Sequence, residues 1–237
     1  MPIHHAARSG PCQVNAEAVQ HSSRGIGLEL VRQLVSDPSN VVVAMCRDPA
    51  RASKLSALKA AAPGQLYVVA LDVGSEASIR GSVAEVEGIL GSKGLDYLYN
   101  NAAITDGGRR LGVRFLVRRI VGHAPANVAG PALMGTVYLP LLEKGRRKVI
   151  VNMTSGLASI GLDFGAKNAM YSISKTALNM LVRIQAGKDA ADLIAYVVDP
   201  GSRQVEESVE RLIRLATTAT AESSGRFLRH DGEQVPW

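Results

Sequence analysis

Short, largely apolar runs alternate with helical patterns along the chain: VVVAMC at Val41–Cys46, LYVVAL before Asp72, KVIVNM ending at Met153 and LIAYVV before Asp199. A strand that is apolar at every position has no face for water and must be covered on both sides. Between these runs the apolar residues return at helical spacing. Ile26, Leu30 and Leu34 mark one helical face, which DPSN ends, and a second helix opens at RDPA and stops at Pro63-Gly64. Ser75 caps a helix from about Glu76 to Leu90, and Leu95 to Tyr99 reads as a strand running into NNAA. A helix around Val128 to Leu142, a YSISK helix reaching about Ala186 and a last helix over roughly Val205 to Thr217 follow, before an extended tail, FLRHDGEQVPW. Such an order predicts an α/β fold, a three-layer, doubly wound parallel sheet with helices on both faces. With no repeat and no long linker, residues 1–237 read as one domain.

A chain of 237 residues, 46% hydrophobic and 20% charged, is long enough to bury a sizeable core. Its apolar runs are far too short to span a bilayer, so no membrane association is expected. The opening MPIHHAARSGP has no apolar stretch of leader length, and the expected setting is the cytoplasm. Cys12 and Cys46 make neither a disulfide framework nor a metal spacing, and Cys46 reads as a small buried residue. The formal charge of +6 hints at nucleic acid, but Arg109, Arg110, Arg114, Arg118 and Arg119 supply most of it within one short segment. No zinc-finger spacing or RNA-binding aromatic pattern accompanies them, so no nucleic-acid partner is expected.

Tyr171 and Lys175 in YSISK stand four residues apart and so share a helical face, with Ser155 sixteen residues upstream in VNMTSG. A cation beside a phenol favours the phenolate, which suits a general acid/base near neutral pH. The spacing alone fits equally a tyrosine packed beside a solvated lysine. Gly25 and Gly27 open the first helix, where missing side chains let backbone amides approach a pyrophosphate. Asp72 ends a strand at the edge where such sheets place ligands.

Seven segments, SSRGIG, LDV, NNAA, ANVAGP, VNMTS, YSISK and DPG, stand in the order seen in short-chain dehydrogenases/reductases. From about Ser22 to Trp237 the chain resembles the sniffer/C-factor-like carbonyl reductases and their fungal relatives, which implies a Rossmann-like fold and a setting in secondary metabolism. The resemblance implies a catalytic set of Asn127, Ser155, Tyr171 and Lys175. Tyr171 would protonate the developing alkoxide, Ser155 would hydrogen-bond the same oxygen, and Lys175 would lower the tyrosine pKa and hold ribose hydroxyls. Asn127 would order a proton-relay water, although a helix kink explains such an asparagine equally well. Thr154 is the neighbour most easily confused with Ser155. The implied cofactor contacts are Ser23, Arg24, Gly25, Ile26, Gly27, Arg47, Asp72, Val73, Asn101, Tyr171, Lys175 and Gly201.

Arg24 and Arg47 bear on cofactor choice. An acid after the second strand bonds a ribose 2′-hydroxyl, whereas arginine pairs with a 2′-phosphate. No Asp or Glu occupies residues 45–47, so NADP(H) is expected, unless both arginines are merely surface residues. The implied activity is hydride transfer between nicotinamide and the carbonyl or secondary alcohol of a small molecule, and the reading allows a homo-oligomer.

Three segments depart from that pattern. Asn15 and Glu17 are poor guests in a central strand, and His21 stands where the first loop glycine belongs, so residues 12–19 are expected to pair weakly and His21 to displace the loop. Residues 105–124 lack the usual acidic and apolar pattern. SRQVEESVE follows Gly201 at once, leaving out the segment that covers substrate in the family. Such losses beside intact motifs fit a mispredicted gene model as well as a decayed paralogue, and His21 with the short segment after Gly201 favours an alternative reading, a catalytically impaired paralogue acting by binding a partner.

Overall fold

A computed structural model describes residues 15–105, 121–162, 164, 167–187, 192–201 and 204–237. Its seven strands are β1 (Ala16–Gln20), β2 (Val41–Cys46), β3 (Gln65–Ala70), β4 (Tyr97–Asn100), β5 (Val149–Met153), β6 (Ile194–Asp199) and β7 (Phe227–Arg229). They form one parallel sheet in the order β3-β2-β1-β4-β5-β6-β7, so the winding reverses between β1 and β4. Alternate residues of β2 serve opposite faces: Val41, Val43 and Met45 enter one core, and Val42, Ala44 and Cys46 the other. That is why the run had to be apolar at every position.

On one face lie α1 (Gly25–Leu34), α2 (Ser53–Ala61) and α7 (Val205–Thr218). The other face carries α3 (Glu76–Leu90), α4 (Gly130–Val137), α5 (Leu139–Lys144) and α6 (Ala169–Gln185). Ser75 caps α3 by accepting from the Ser78 amide. The helix expected over Val128 to Leu142 is divided. A π-helical turn at Pro125–Ala129 leads into α4, and α5 starts anew at Leu139, with Pro140 in its first turn. The RDPA segment forms a single 3-10 turn at Pro49–Arg51 before α2. The extended tail supplies β7, and Trp237 lies against Phe227 with ring centroids 5.6 Å apart. Among the described residues no helix is long and apolar enough to cross a membrane. The arginine cluster at Arg109–Arg119 and residues 12–14 lie outside the described residues.

The first strand is not degraded. Ala16–Gln20 is buried throughout, in register with Val41–Met45 on one side, while Glu17–Val19 pairs with Tyr97–Tyr99 on the other. The expected weak pairing does not occur over Ala16–Gln20, although its polar side chains are only partly accommodated: among the described residues Glu17 Oε2 and Gln20 Oε1 are buried without a hydrogen-bond partner. Gln20 Nε2 donates to Asn100 Oδ1, and Asn100 Nδ2 donates to Asn152 Oδ1 at 2.8 Å, a hydrogen-bonded row across β1, β4 and β5. Burial pushes the Glu17 carboxyl up to about 8; the Tyr99 phenol offsets part of the rise, and Asp96 and Asp37 add to it. The group is therefore a neutral acid at pH 7, far less costly to bury than a carboxylate.

Candidate active site

The carboxyl ends of the strands gather the predicted residues. Between them opens a cleft of about 740 Å³, walled by the turns after β1, β2, β3 and β4. Ser23, Arg24, Arg47, Asp72 and Val73 line it. His21 lines it too, and its backbone takes the left-handed region at φ 52. Histidine adopts that left-handed angle only uncommonly, whereas glycine does so freely. Gly27 packs so tightly beneath His21 that a Cβ there would stand 2.5 Å from the His21 carbonyl oxygen. Gly25 takes φ +54, and Arg24, the residue preceding α1, makes no side-chain cap, so the first-turn amides of this helix keep their capacity to bind an anion. Ile26 is half-buried within that turn. Asn101 Nδ2 donates to the Gln20 carbonyl at 3.1 Å, tying the end of β4 to the end of β1.

On the β5 side, Tyr171 and Lys175 share a face of α6, with the Lys175 Nζ 5.8 Å from the Tyr171 ring centroid. Lys175 is buried and donates to the Met153 carbonyl at 2.6 Å, the last residue of β5. Burial lowers its ammonium to about 7. Ser155, two residues beyond β5, caps the 3-10 turn Gly156–Ala158 by accepting from the Leu157 amide at 3.2 Å. Thr176 Oγ1 donates to the Ala158 carbonyl at 2.9 Å, so the turn carrying Ser155 is fastened to the helix carrying Tyr171. Thr154 is buried and committed to Asn179 Oδ1 at 2.6 Å, which separates it from the half-buried Ser155.

One expectation needs revision. Lys175 was to draw the Tyr171 phenol down, yet burial pushes that phenol up to about 12, and the Asp199 carboxylate adds to the rise. Asp199 stands at the end of β6, 3.1 Å from where a Gly156 Cβ would lie. The side-chain amide of Asn127, expected beside a relay water, is engaged at both ends within the protein. Its Oδ1 accepts from the Ile104 amide at 2.8 Å, while Nδ2 donates to the Ile104 carbonyl and to Ser174 Oγ, each at 2.9 Å. Asn127 sits in the π-helical turn and clamps the end of the β4 loop to α6, the kink reading of this residue.

Beyond β6, Gly201 takes φ +71 and donates to Asp199 Oδ1 at 3.2 Å. A Cβ on Gly201 would stand 2.8 Å from the His230 ring. Helix α7 begins at Val205, so no more than a short connection follows Gly201, in keeping with the missing covering segment.

Residues 18–223 match the short chain dehydrogenase family. The chain is a short-chain dehydrogenase. As a member of that family it is a hydride-transfer oxidoreductase acting on carbonyl or CH–OH groups. It is 29% identical to the short chain dehydrogenase gsfK of Penicillium aethiopicum, over 91% of this chain and 96% of that protein. Among solved structures, NADPH-bound carbonyl reductase from chicken fatty liver superposes with a TM-score of 0.84 at 30% identity, covering 95% of this chain and 100% of the other. Carbonyl reductase Sniffer of D. melanogaster shares the fold with a TM-score of 0.86 at 23% identity, over 95% and 100% of the two chains.

The dehydrogenase carries site residues that motif reading missed. Arg51 lines the cleft beside Arg24 and Arg47. Its signal lay in RDPAR: Asp48 caps the 3-10 turn by accepting from the Arg51 amide, and the turn brings the second arginine back to the cleft. Asp199 was read only as part of the DPG motif, and its position beside Tyr171 required the sheet.

Proposed function

We propose that this dehydrogenase is an NADP(H)-dependent carbonyl reductase of small molecules, with Tyr171 as its proton donor. One observation carries the reading: a buried lysine and a tyrosine share a helical face at the end of β5, on the same sheet edge as an arginine-walled cleft. The residues present suit a phosphorylated dinucleotide. Arg24, Arg47 and Arg51 wall the cleft, and among the described residues no carboxylate lies within ion-pair distance of them. Gly25 and Gly27 would admit the pyrophosphate to the start of α1, and Asp72, Val73 and Asn101 would meet the adenosine.

When bound, the cofactor supplies the hydride. The chain itself positions the carbonyl and manages one proton. Ser155 would donate a hydrogen bond to the carbonyl oxygen, stabilising negative charge as it develops. Tyr171 would release its phenolic proton to that oxygen. A phenol raised to about 12 keeps its proton at neutral pH and so has one to donate. Lys175, balanced near pH 7, would hold a ribose hydroxyl and return a proton to the tyrosine. Asn127 would act as a positioning residue through Ile104 and Ser174. No observation favours the impaired-paralogue alternative, since the first strand is regular and the Tyr171–Lys175 pair intact.

Replacing Arg47 with Asp tests the cofactor reading. The variant should lose NADPH affinity by about 10- to 100-fold, because a charge-assisted pair becomes a repulsion, while NADH changes little. Fluorescence titration with each nucleotide measures this. Equal weakening of both, or of neither, would show that Arg47 does not read the 2′-phosphate.

A further inference from the structure

The turn after β1 carries a histidine inside a basic cleft, and nothing in hydride transfer requires an imidazole there. His21 accepts a hydrogen bond on Nε2 from Arg24 Nε at 3.0 Å. A ring nitrogen that accepts has no proton, so this arrangement is that of the neutral imidazole. The surrounding groups come from each turn of the cleft: Arg24 from the start of α1, Arg47, Asp48 and Arg51 from the turn after β2, and Asp72 from the turn after β3. The two acids are already engaged by backbone amides, Asp48 by that of Arg51 and Asp72 by that of Gly74. Three guanidinium groups and an imidazole thus face one cavity, and among the described residues none of the three is paired with a carboxylate.

We propose that His21 is a phosphate-reading residue which takes up a proton as the 2′-phosphate of NADP(H) enters, coupling cofactor binding to pH. This inference rests on the NADP(H) reading. An arriving phosphate, with up to two negative charges, draws Arg24 off the imidazole and reverses the local field, so that Nε2 gains a proton and donates to a phosphate oxygen. Before binding, burial and the charges of Arg24 and Arg47 hold the imidazole below its ordinary range. The phosphate raises it. Proton uptake therefore occurs between the depressed free value and the raised bound one, and NADPH affinity climbs as pH falls through that window. The phosphate alone behaves oppositely: its second ionisation near pH ~6 weakens binding on acidification.

Calorimetric titration with NADPH and NADH at pH 6.5, 7.0 and 8.0, in buffers of different ionisation enthalpy, reads this directly. The native protein should take up a substantial fraction of a proton per NADPH and none per NADH. Its preference for NADPH over NADH should rise about 3- to 10-fold from pH 8.0 to 6.5. His21→Gly suits the left-handed backbone and keeps the fold, yet it should take up no proton and lose the pH dependence. His21→Asn, which tolerates the same backbone, should behave as the glycine variant does. Equal proton uptake by native and His21→Gly proteins, or none in either, overturns the inference while leaving an NADPH preference intact. Failure of the native protein to bind NADPH overturns the cofactor reading and this inference with it.

Discussion

Tyr171→Phe should lower carbonyl reduction by about 10²- to 10⁴-fold while changing NADPH affinity by no more than a few-fold. The ring keeps its packing on α6 near the buried Lys175, so the lost hydroxyl is the only chemical change. A positioned phenol contributes by delivering a proton to oxygen as charge forms, and water admitted in its place cannot reproduce that orientation. Lys175 cannot take over as the direct donor, because its Nζ is buried against the Met153 carbonyl. Steady-state turnover with NADPH and a reducible ketone or quinone, alongside a cofactor titration, separates the two effects. A phenylalanine variant turning over at the native rate would remove Tyr171 from the chemistry.

The second large effect is on stability, and it comes from Glu17. Burial raises its carboxyl to about 8 in the folded chain against an ordinary 4.5, so between those limits the folded state binds a proton that the unfolded chain has lost. Stability should therefore fall as pH rises through that window, by up to roughly 5 kcal/mol in all from this group. Lys175 works in the opposite sense. Its folded value near 7 lies below the ordinary 10.5, so its contribution becomes less unfavourable between those two limits. The clean window for Glu17 is thus about pH 5 to 7. Glu17→Gln keeps the shape and removes the ionisation. It should match the native protein at pH 5 and exceed it by roughly 1–3 kcal/mol at pH 7, the variant showing a flatter profile. Urea unfolding at several pH values measures this, and parallel profiles for the two proteins would refute a protonated Glu17.

How much was legible in the sequence follows from what each signal depends on. Strands such as VVVAMC announced themselves because burial on both faces forbids polar residues, and helix starts such as Ser75 because capping is local. Tyr171 and Lys175 were legible because four-residue spacing fixes a shared face. The first strand was misread because the surroundings of Glu17, Tyr99 and Asp96 among them, come from in and beside β4 some 80 residues away, which no local pattern carries. The raised phenol has the same origin, since its burial, and the Asp199 carboxylate that adds to the rise, arise only once the sheet and α6 have packed together. Asn127 was singled out by its motif, but its hydrogen bonds to Ile104 and Ser174 join separate segments and could not be read locally.

The central claim is that the cleft at the reversal of the sheet holds a phosphorylated nicotinamide cofactor beside Tyr171. Titration of the native protein with NADPH and with NADH, at pH 7 and moderate salt, tests it most directly. The arginine wall predicts saturable NADPH binding at least about tenfold tighter than NADH, with the difference shrinking as salt screens the pair. Equal affinity for the two, a preference for NADH, or no binding of either would contradict it.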